Sequence, residues 1–174
     1  MTLLERVAAF LSERGIAHAL IGAAALAVHG VSRSTLDQDL LVLDGRVLEA
    51  RFWSPLSDAA AVDVRPGDAE DPLAGVVRIE ERGERTVDVV VGRSTWQHDV
   101  LRRATAIGDG PLRVVEAADL VLLKLYAGGS QDRWDIERLL ALDAGAATAR
   151  AVDERVGGLP PRSRELWSLL RAGH

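Results

Sequence analysis

Asp37-Gln38-Asp39-Leu40-Leu41-Val42-Leu43 decides how this chain is read, because two carboxylates stand at the head of an apolar run. The run itself reads as a short buried strand. Side chains alternate faces along a strand, so Asp37 and Asp39 point the same way. Two like charges that close together repel, and burying them is costly without a compensating cation. Hard oxygen donors of this kind suit Mg²⁺ or Mn²⁺. The pair is a candidate metal site.

Upstream of the acids, Thr2 and Glu5 form a capping box, and Leu3, Val7, Phe10 and Leu11 make one apolar helical face that ends near Gly15. Ile16 to Ile21 reads as a strand running into Gly22. Ala23 to Val28 is rich in helix formers and is closed by His29-Gly30. The polar turn Val31-Ser32-Arg33-Ser34-Thr35 then delivers the acidic strand. Leu40 and Val42 lie on one face and Leu41 and Leu43 on the other, as in a strand covered by helices on both sides.

Downstream, Arg46 to Ala60 is expected to be a helix packing Leu48, Phe52 and Leu56, interrupted by Pro55. Pro66-Gly67-Asp68 through Asp71-Pro72 reads as a loop. Gly75 to Glu80 and Arg85 to Val91 form a hairpin around Arg82-Gly83. Arg113-Val114-Val115 is a further short strand. The rest is helical: Ala117 to Ala127, a loop at Gly128-Gly129-Ser130, Asp132 to Leu142, an Ala-rich piece to Val156, and a last helix opened by Pro160-Pro161. The expectation is one α/β (α+β) domain over 1–174, with a small mixed sheet, flanking helices, a core at about 16–115 and a helical part at about 116–174.

Composition narrows the classes. The chain has 174 residues, 48% of them apolar, which is enough for a packed core in a single domain. No apolar run approaches the roughly 18 residues of a membrane span, and the acidic N-terminal helix differs from a signal peptide. With no cysteine, disulfides and thiolate zinc sites are excluded. A cytoplasmic protein without a membrane partner is expected. The net charge of −5 argues against nonspecific coating of nucleic acid, although not against a local groove for one RNA end. Lys124 is the single lysine among 21 basic residues.

A third acid lies in Thr86-Val87-Asp88-Val89-Val90-Val91, where Asp88 is the only charge in a β-branched run. Pairing with a nearby arginine is the competing explanation, disfavoured because a strand centre is a costly place for a charge kept only for stability. If the hairpin lies beside the acidic strand, three carboxylates converge. Three acids around hard cations suit activation of a hydroxyl beside a triphosphate.

These parts together resemble the nucleotidyltransferase superfamily, the polymerase-β-like fold. Ile21-Gly22-Ala23, the helix to Gly30, Asp37-Gln38-Asp39 and Asp88 match its signature, and Arg33-Ser34-Thr35-Leu36 resembles the approach to the acids in AbiEii-type toxin nucleotidyltransferases. Lys124 and Asp132-Arg133-Trp134-Asp135 resemble that branch's downstream motif. The likeness covers about residues 16–140. Ala23 departs from the usual Gly or Ser, which removes a hydroxyl contact to the triphosphate. The chain is also shorter than typical AbiEii-type toxins.

The resemblance implies transfer of a nucleoside monophosphate from an NTP to a hydroxyl, with release of pyrophosphate. Asp37, Asp39 and Asp88 would be catalytic and hold Mg²⁺ or Mn²⁺. Gly22, Ala23, Arg33, Thr35 and Lys124 would bind the nucleotide, with Asp132 and Asp135 as accessory residues. The acceptor class, whether RNA end, protein or small molecule, is left open, as is a cognate toxin or antitoxin partner in a defence system. The other reading is a weak or inactive member acting as a binding or antitoxin-like partner.

Competing readings of the supporting residues are local. Arg33 in a loop could be solvated, Lys124 among leucines could snorkel from a core helix, and acids in a first helical turn are favoured by the dipole alone. His18, His29, His98 and His174 show no metal-ligand spacing, and the four tryptophans read as core or interface residues. Haloacid-dehalogenase-like phosphatases and many glycosyltransferases also use Asp-x-Asp, but there the acids follow the apolar strand. Here they precede it.

Overall fold

Thr2 opens the first helix: its hydroxyl accepts the Glu5 N–H while the Glu5 side chain accepts the Thr2 N–H, as the sequence predicts. That helix, α1 (Leu3–Glu13), buries Leu3, Leu4, Val7, Ala8, Phe10 and Leu11. The structure, a computed structural model, describes residues 1–34 and 37–173. It falls into two compact units, one made of residues 1–24 and 34–115 and the other of 25–33 and 116–174.

The first unit carries the sheet. Its strands are β1 (His18–Ile21), β2 (Gln38–Val42), β3 (Ala61–Pro66), β4 (Leu73–Glu80), β5 (Val87–Gly92), β6 (Thr105–Ala106) and β7 (Arg113–Val114). They lie in the order β3-β4-β5-β2-β1-β7-β6. The β2–β5 and β1–β7 pairs are parallel and the others antiparallel, so the sheet is mixed. Leu40, Leu41 and Val42 are all buried, as expected for a strand enclosed on both faces.

One expectation fails in the middle of the chain. Arg46 to Ala60 is not a helix. It forms two short 3₁₀ turns, Gly45–Leu48 and Ala50–Trp53. Asp44 caps the first through the Arg46 N–H, and the Trp53 indole donates to the Val47 carbonyl at 2.7 Å while its ring stacks on Phe10. Side-chain bonding to local backbone and a buried indole hold the segment out of the α-helix that its periodicity suggested. The strand β3 was not foreseen either. It is an edge strand with the polar pattern Asp63, Arg65, Pro66, paired only with β4, so it carries little apolar signal.

A helix not foreseen, α3 (Trp96–Arg103), follows β5 and buries Gln97, Val100 and Leu101. Helix α2 (Gly22–Val28) begins among the residues of the first unit and ends among those of the second. The second unit contains α4 (Ala117–Ala127), α5 (Ser130–Leu140), α6 (Gly145–Arg155) and α7 (Pro161–Ala172). Helix α4 is the centre of this unit and packs on α5, α6 and α7. Its apolar residues Leu120, Val121, Leu122 and Leu125 are buried. Gly128 ends it at φ +72, a left-handed conformation that suits glycine, with its N–H on the Lys124 carbonyl. Pro161 starts α7 at a position where its missing N–H costs nothing. Among the described residues no helix is long and apolar enough to cross a membrane.

Candidate active site

The parallel pairing of β2 with β5 sets Asp39 directly opposite Asp88. Residues opposed across a ladder share a face, so both carboxylates rise from the same side of the sheet. Asp37 lies one residue ahead of β2 and is exposed, whereas Asp39 is half-buried and Asp88 buried. The expectation of a buried pair at 37 and 39 therefore holds for neither residue fully. Asp37 precedes the strand and keeps its carboxylate in water.

Gly22 stands against Asp39. Its φ of +62 is left-handed, and a Cβ there would overlap the Asp39 carboxylate. Residue 22 thus has two reasons to be glycine, one conformational and one steric. Ala23 follows it in the first turn of α2, and both are half-buried.

On the other side of Asp88 is a residue the sequence reading missed. Arg78 of β4 is in register with Asp88, and its guanidinium makes a two-pronged ion pair: Nε donates to Oδ1 at 2.9 Å and Nη2 to Oδ2 at 2.7 Å. The arginine pairing judged less favourable from sequence is present. Counting back from the Arg82-Gly83 turn would have found it, since a hairpin that sets Ile79 against Val87 sets Arg78 against Asp88. The hydrogen bonds and charge of Asp88, with the charges of Asp37 and Glu80, hold the Arg78 guanidinium above its already high pKa, so it stays charged.

One row of the sheet therefore runs Asp63, Arg78, Asp88, Asp39 across four strands. Beside it lies a groove of about 640 Å³. Val76 and Val90 form its floor, Asp39, Asp88 and Arg78 one end, and the segment Pro66–Leu73 a rim. Arg93 pins that rim by donating to the carbonyls of Asp68, Ala69 and Leu73 at 2.8–2.9 Å. A volume of this size is typical of a small-ligand site.

The carboxylates suit a hard divalent cation by donor chemistry: all are oxygen ligands, two face each other across adjacent strands, and the glycine at 22 leaves the Asp39 carboxylate its space. The fit is partial, because among the described residues no three acids or histidines gather into one cluster. Both oxygens of Asp88 already carry the Arg78 guanidinium.

The remaining candidate residues assemble within the second unit. Lys124 is buried, and its Nζ lies 2.6 Å from Asp135 Oδ2 and 3.1 Å from Asp132 Oδ1. Arg33 Nη1 donates to the same Asp135 Oδ2 at 3.1 Å. Asp135 is fully buried, so it is not the solvated first-turn acid that helix polarity alone would place there. Asp132 does act in that way as well, accepting the Gly129 N–H. Arg33 is not a solvated loop charge, and Lys124 does not snorkel to water: both meet carboxylates. Thr35 lies outside the described residues, as does His174. His18 is buried between the Ile16 and Pro111 carbonyls, a structural position.

No family model matches the chain, and no curated protein matches it in sequence. Solved structures do match. A protein of Helicobacter pylori described as a candidate nucleotidyltransferase superposes with a TM-score of 0.52 at 13% identity, covering 97% of this chain and 91% of that one. JHP933, also from Helicobacter pylori, superposes with a TM-score of 0.50 at 13% identity, covering 87% of this chain and 71% of that one. Identities this low speak to fold and do not single out the AbiEii-type branch. Sheet order, element sequence and these superpositions agree: the chain has the nucleotidyltransferase fold.

Proposed function

We propose that this chain is a metal-dependent nucleotidyltransferase that moves an NMP from an NTP to a hydroxyl acceptor. The observation that carries the reading is the direct opposition of Asp39 and Asp88 at one end of a ligand-sized groove, with Asp37 one residue ahead of the strand.

In this reading Asp37 and Asp39 hold Mg²⁺ or Mn²⁺ through carboxylate oxygens. When bound, such an ion supplies charge neutralisation for a triphosphate and for the leaving pyrophosphate. The backbone N–H groups of Gly22 and Ala23 face the phosphates; lacking a hydroxyl, Ala23 contributes backbone only. The acceptor lies over Val76 and Val90. Its oxygen bonds to the α-phosphorus as the bond from that phosphorus to the bridging oxygen of the β-phosphate breaks, and pyrophosphate leaves with the electron pair. Asp88 takes the hydroxyl proton on a lone pair that Arg78 leaves open, since a carboxylate has about four acceptor positions and the arginine uses two. Most of the rate effect comes from positioning and fixed charge.

The resemblance of the Arg33-to-Asp39 run to the AbiEii-type branch supports a toxin–antitoxin or defence setting for this reading. The test is incubation with each α-labelled NTP, Mg²⁺ or Mn²⁺, and cell extract. Label in RNA, in protein or in a small product names the acceptor class, and Asp39→Asn abolishes it. The Arg78–Asp88 ion pair favours a second reading, a non-catalytic binding partner on the same fold. Absence of transfer with every nucleotide, with metal affinity indifferent to Asp37 and Asp39, selects that one.

A further inference from the structure

The groove keeps its charged and its apolar side chains in separate rows. Arg78 stands opposite Asp88 across β4 and β5, and the next pair on the same face of the sheet is Val76 with Val90. Same-face rows lie about 7 Å apart along the strands. Both valines line the groove and are only half-buried.

A guanidinium carries five N–H donors, and Asp88 occupies two of those on Arg78, one on Nε and one on Nη2. Among the described residues Arg78 takes no other hydrogen bond, so Nη1 and the outer N–H of Nη2 remain available. The side chain lines the groove and is 38% exposed. Those two nitrogens form a second fork, matched to two oxygens on neighbouring atoms. Nη2 is 2.7 Å from Asp88 Oδ2, so a charged donor and a proton-accepting carboxylate stand side by side.

Charge selects what those oxygens are. A phosphate or carboxylate would suit the fork, but neither arginine of the lining has charge to spare: Arg78 is matched by Asp88 and Arg65 by Asp63. The rim adds the exposed carboxylate of Asp71, which repels an anion. Neutral oxygens escape that repulsion. A lone hydroxyl would engage Asp88 and leave the fork empty. Two hydroxyls on adjacent carbons fill both, one giving its proton to Asp88 while its neighbour accepts from Arg78. The C–H face of a sugar ring then rests on Val76 and Val90.

We propose that the acceptor is a sugar ring bearing a vicinal diol, and that Arg78 selects it. The inference rests on the nucleotidyltransferase reading and names the substrate class of the same groove. The hydroxyl oxygen on Asp88 bonds to the α-phosphorus, pyrophosphate leaves with the electron pair of the broken bond, and the proton stays on Asp88. The second hydroxyl is held and not consumed. Serine, threonine and tyrosine side chains offer a single hydroxyl and fall outside the class.

Periodate tests this without naming the sugar, because it cleaves the carbon–carbon bond of a vicinal diol and spares an isolated hydroxyl. Cell extract is oxidised with periodate and quenched with sulfite; control extract receives periodate already quenched. Each is then given the full chain, α-labelled NTP and Mg²⁺. Transfer into control extract falls to background in oxidised extract. Label lost to ribonuclease marks a ribose at an RNA end, and label passing an ultrafiltration membrane marks a free sugar; both bear the inference out. Label that survives periodate, or that sits on an amino-acid side chain, overturns it. Arg78→Met raises the acceptor KM about 10-fold, the worth of one charge-assisted hydrogen bond, and leaves the NTP KM unchanged. A fall in kcat alone would reduce Arg78 to orienting Asp88 and overturn its selecting role. Should circular dichroism show Arg78→Met unfolded, the periodate comparison on the wild type decides alone. Transfer that survives periodate leaves the nucleotidyltransferase reading standing. No transfer into control extract removes that reading and this one together.

Discussion

Gly22 has its missing side chain aimed at Oδ2 of Asp39, so the conformation of the chain at the start of α2 and the placement of a candidate metal ligand are a single steric fact. Gly22→Ala must strain the backbone at φ +62, by about 1–2 kcal/mol for an L-residue in the left-handed region, and push the carboxylate aside. Thermal melting reports the first effect. Transfer activity reports the second, with a loss on the order of 100-fold expected for a displaced catalytic group. Unchanged transfer in a folded Gly22→Ala protein would remove Asp39 from the site.

Asp135 is the hub of the second unit's charge network. With Asp135→Ala, buried Lys124 keeps Asp132 and Arg33 loses its carboxylate. Breaking a buried pair from one side costs about 3–5 kcal/mol. Urea denaturation should show a loss of that order for Asp135→Ala and a smaller one for Lys124→Met/Asp135→Leu, where the most deeply buried cation is removed along with its partner. Equal losses for the single and double variants would mean that packing and not charge is at stake.

Arg93 fastens the groove's rim. Its removal in Arg93→Ala gives up three hydrogen bonds to backbone carbonyls, each about 1 kcal/mol. The segment 67–72 should then be cleaved faster by protease and exchange amide hydrogens sooner. Acceptor KM rises several-fold while Mn²⁺ binding is unchanged. A change in metal binding without a change in acceptor KM would place the acceptor elsewhere.

Helices α6 and α7 are tied at Asp153, which accepts Arg171 Nη2 at 3.0 Å and Trp167 Nε1 at 2.8 Å. The Arg171 hydrogen bond, with that of Trp167, holds the Asp153 carboxyl below the usual carboxylate range. Its folded pKa is depressed, so its stabilisation is present above the unfolded value and fades as pH falls through the folded one. The pair is partly exposed, which limits its worth to about 1 kcal/mol or less. Melting of the wild type and of Asp153→Asn should differ at neutral pH and converge in acid. A constant gap across that range would contradict the ion pair.

Much of the fold is local in origin and legible along the chain. The Thr2–Glu5 box, the Gly128 stop, Pro161 at the start of α7 and the alternation around Arg82-Gly83 each depend on neighbours a few residues apart. So does the strand that carries Asp39. Where local preference and tertiary packing disagree, the reading fails: Trp53 reaching the Val47 carbonyl turned an expected helix into 3₁₀ turns. An edge strand such as β3 buries too little to mark itself in sequence.

Sequence by itself singled out Asp37, Asp39 and Asp88 as candidates and set them at or in buried strands, because hydrophobic alternation and capping are short-range. It could not determine what each acid touches. Only tertiary structure set Asp88 between Asp39 and Arg78, and placed Lys124 and Arg33 on the same Asp135 oxygen. Those partnerships depend on strand register and helix packing between residues far apart in the chain, where shifting a strand by one residue turns every side chain to the opposite face.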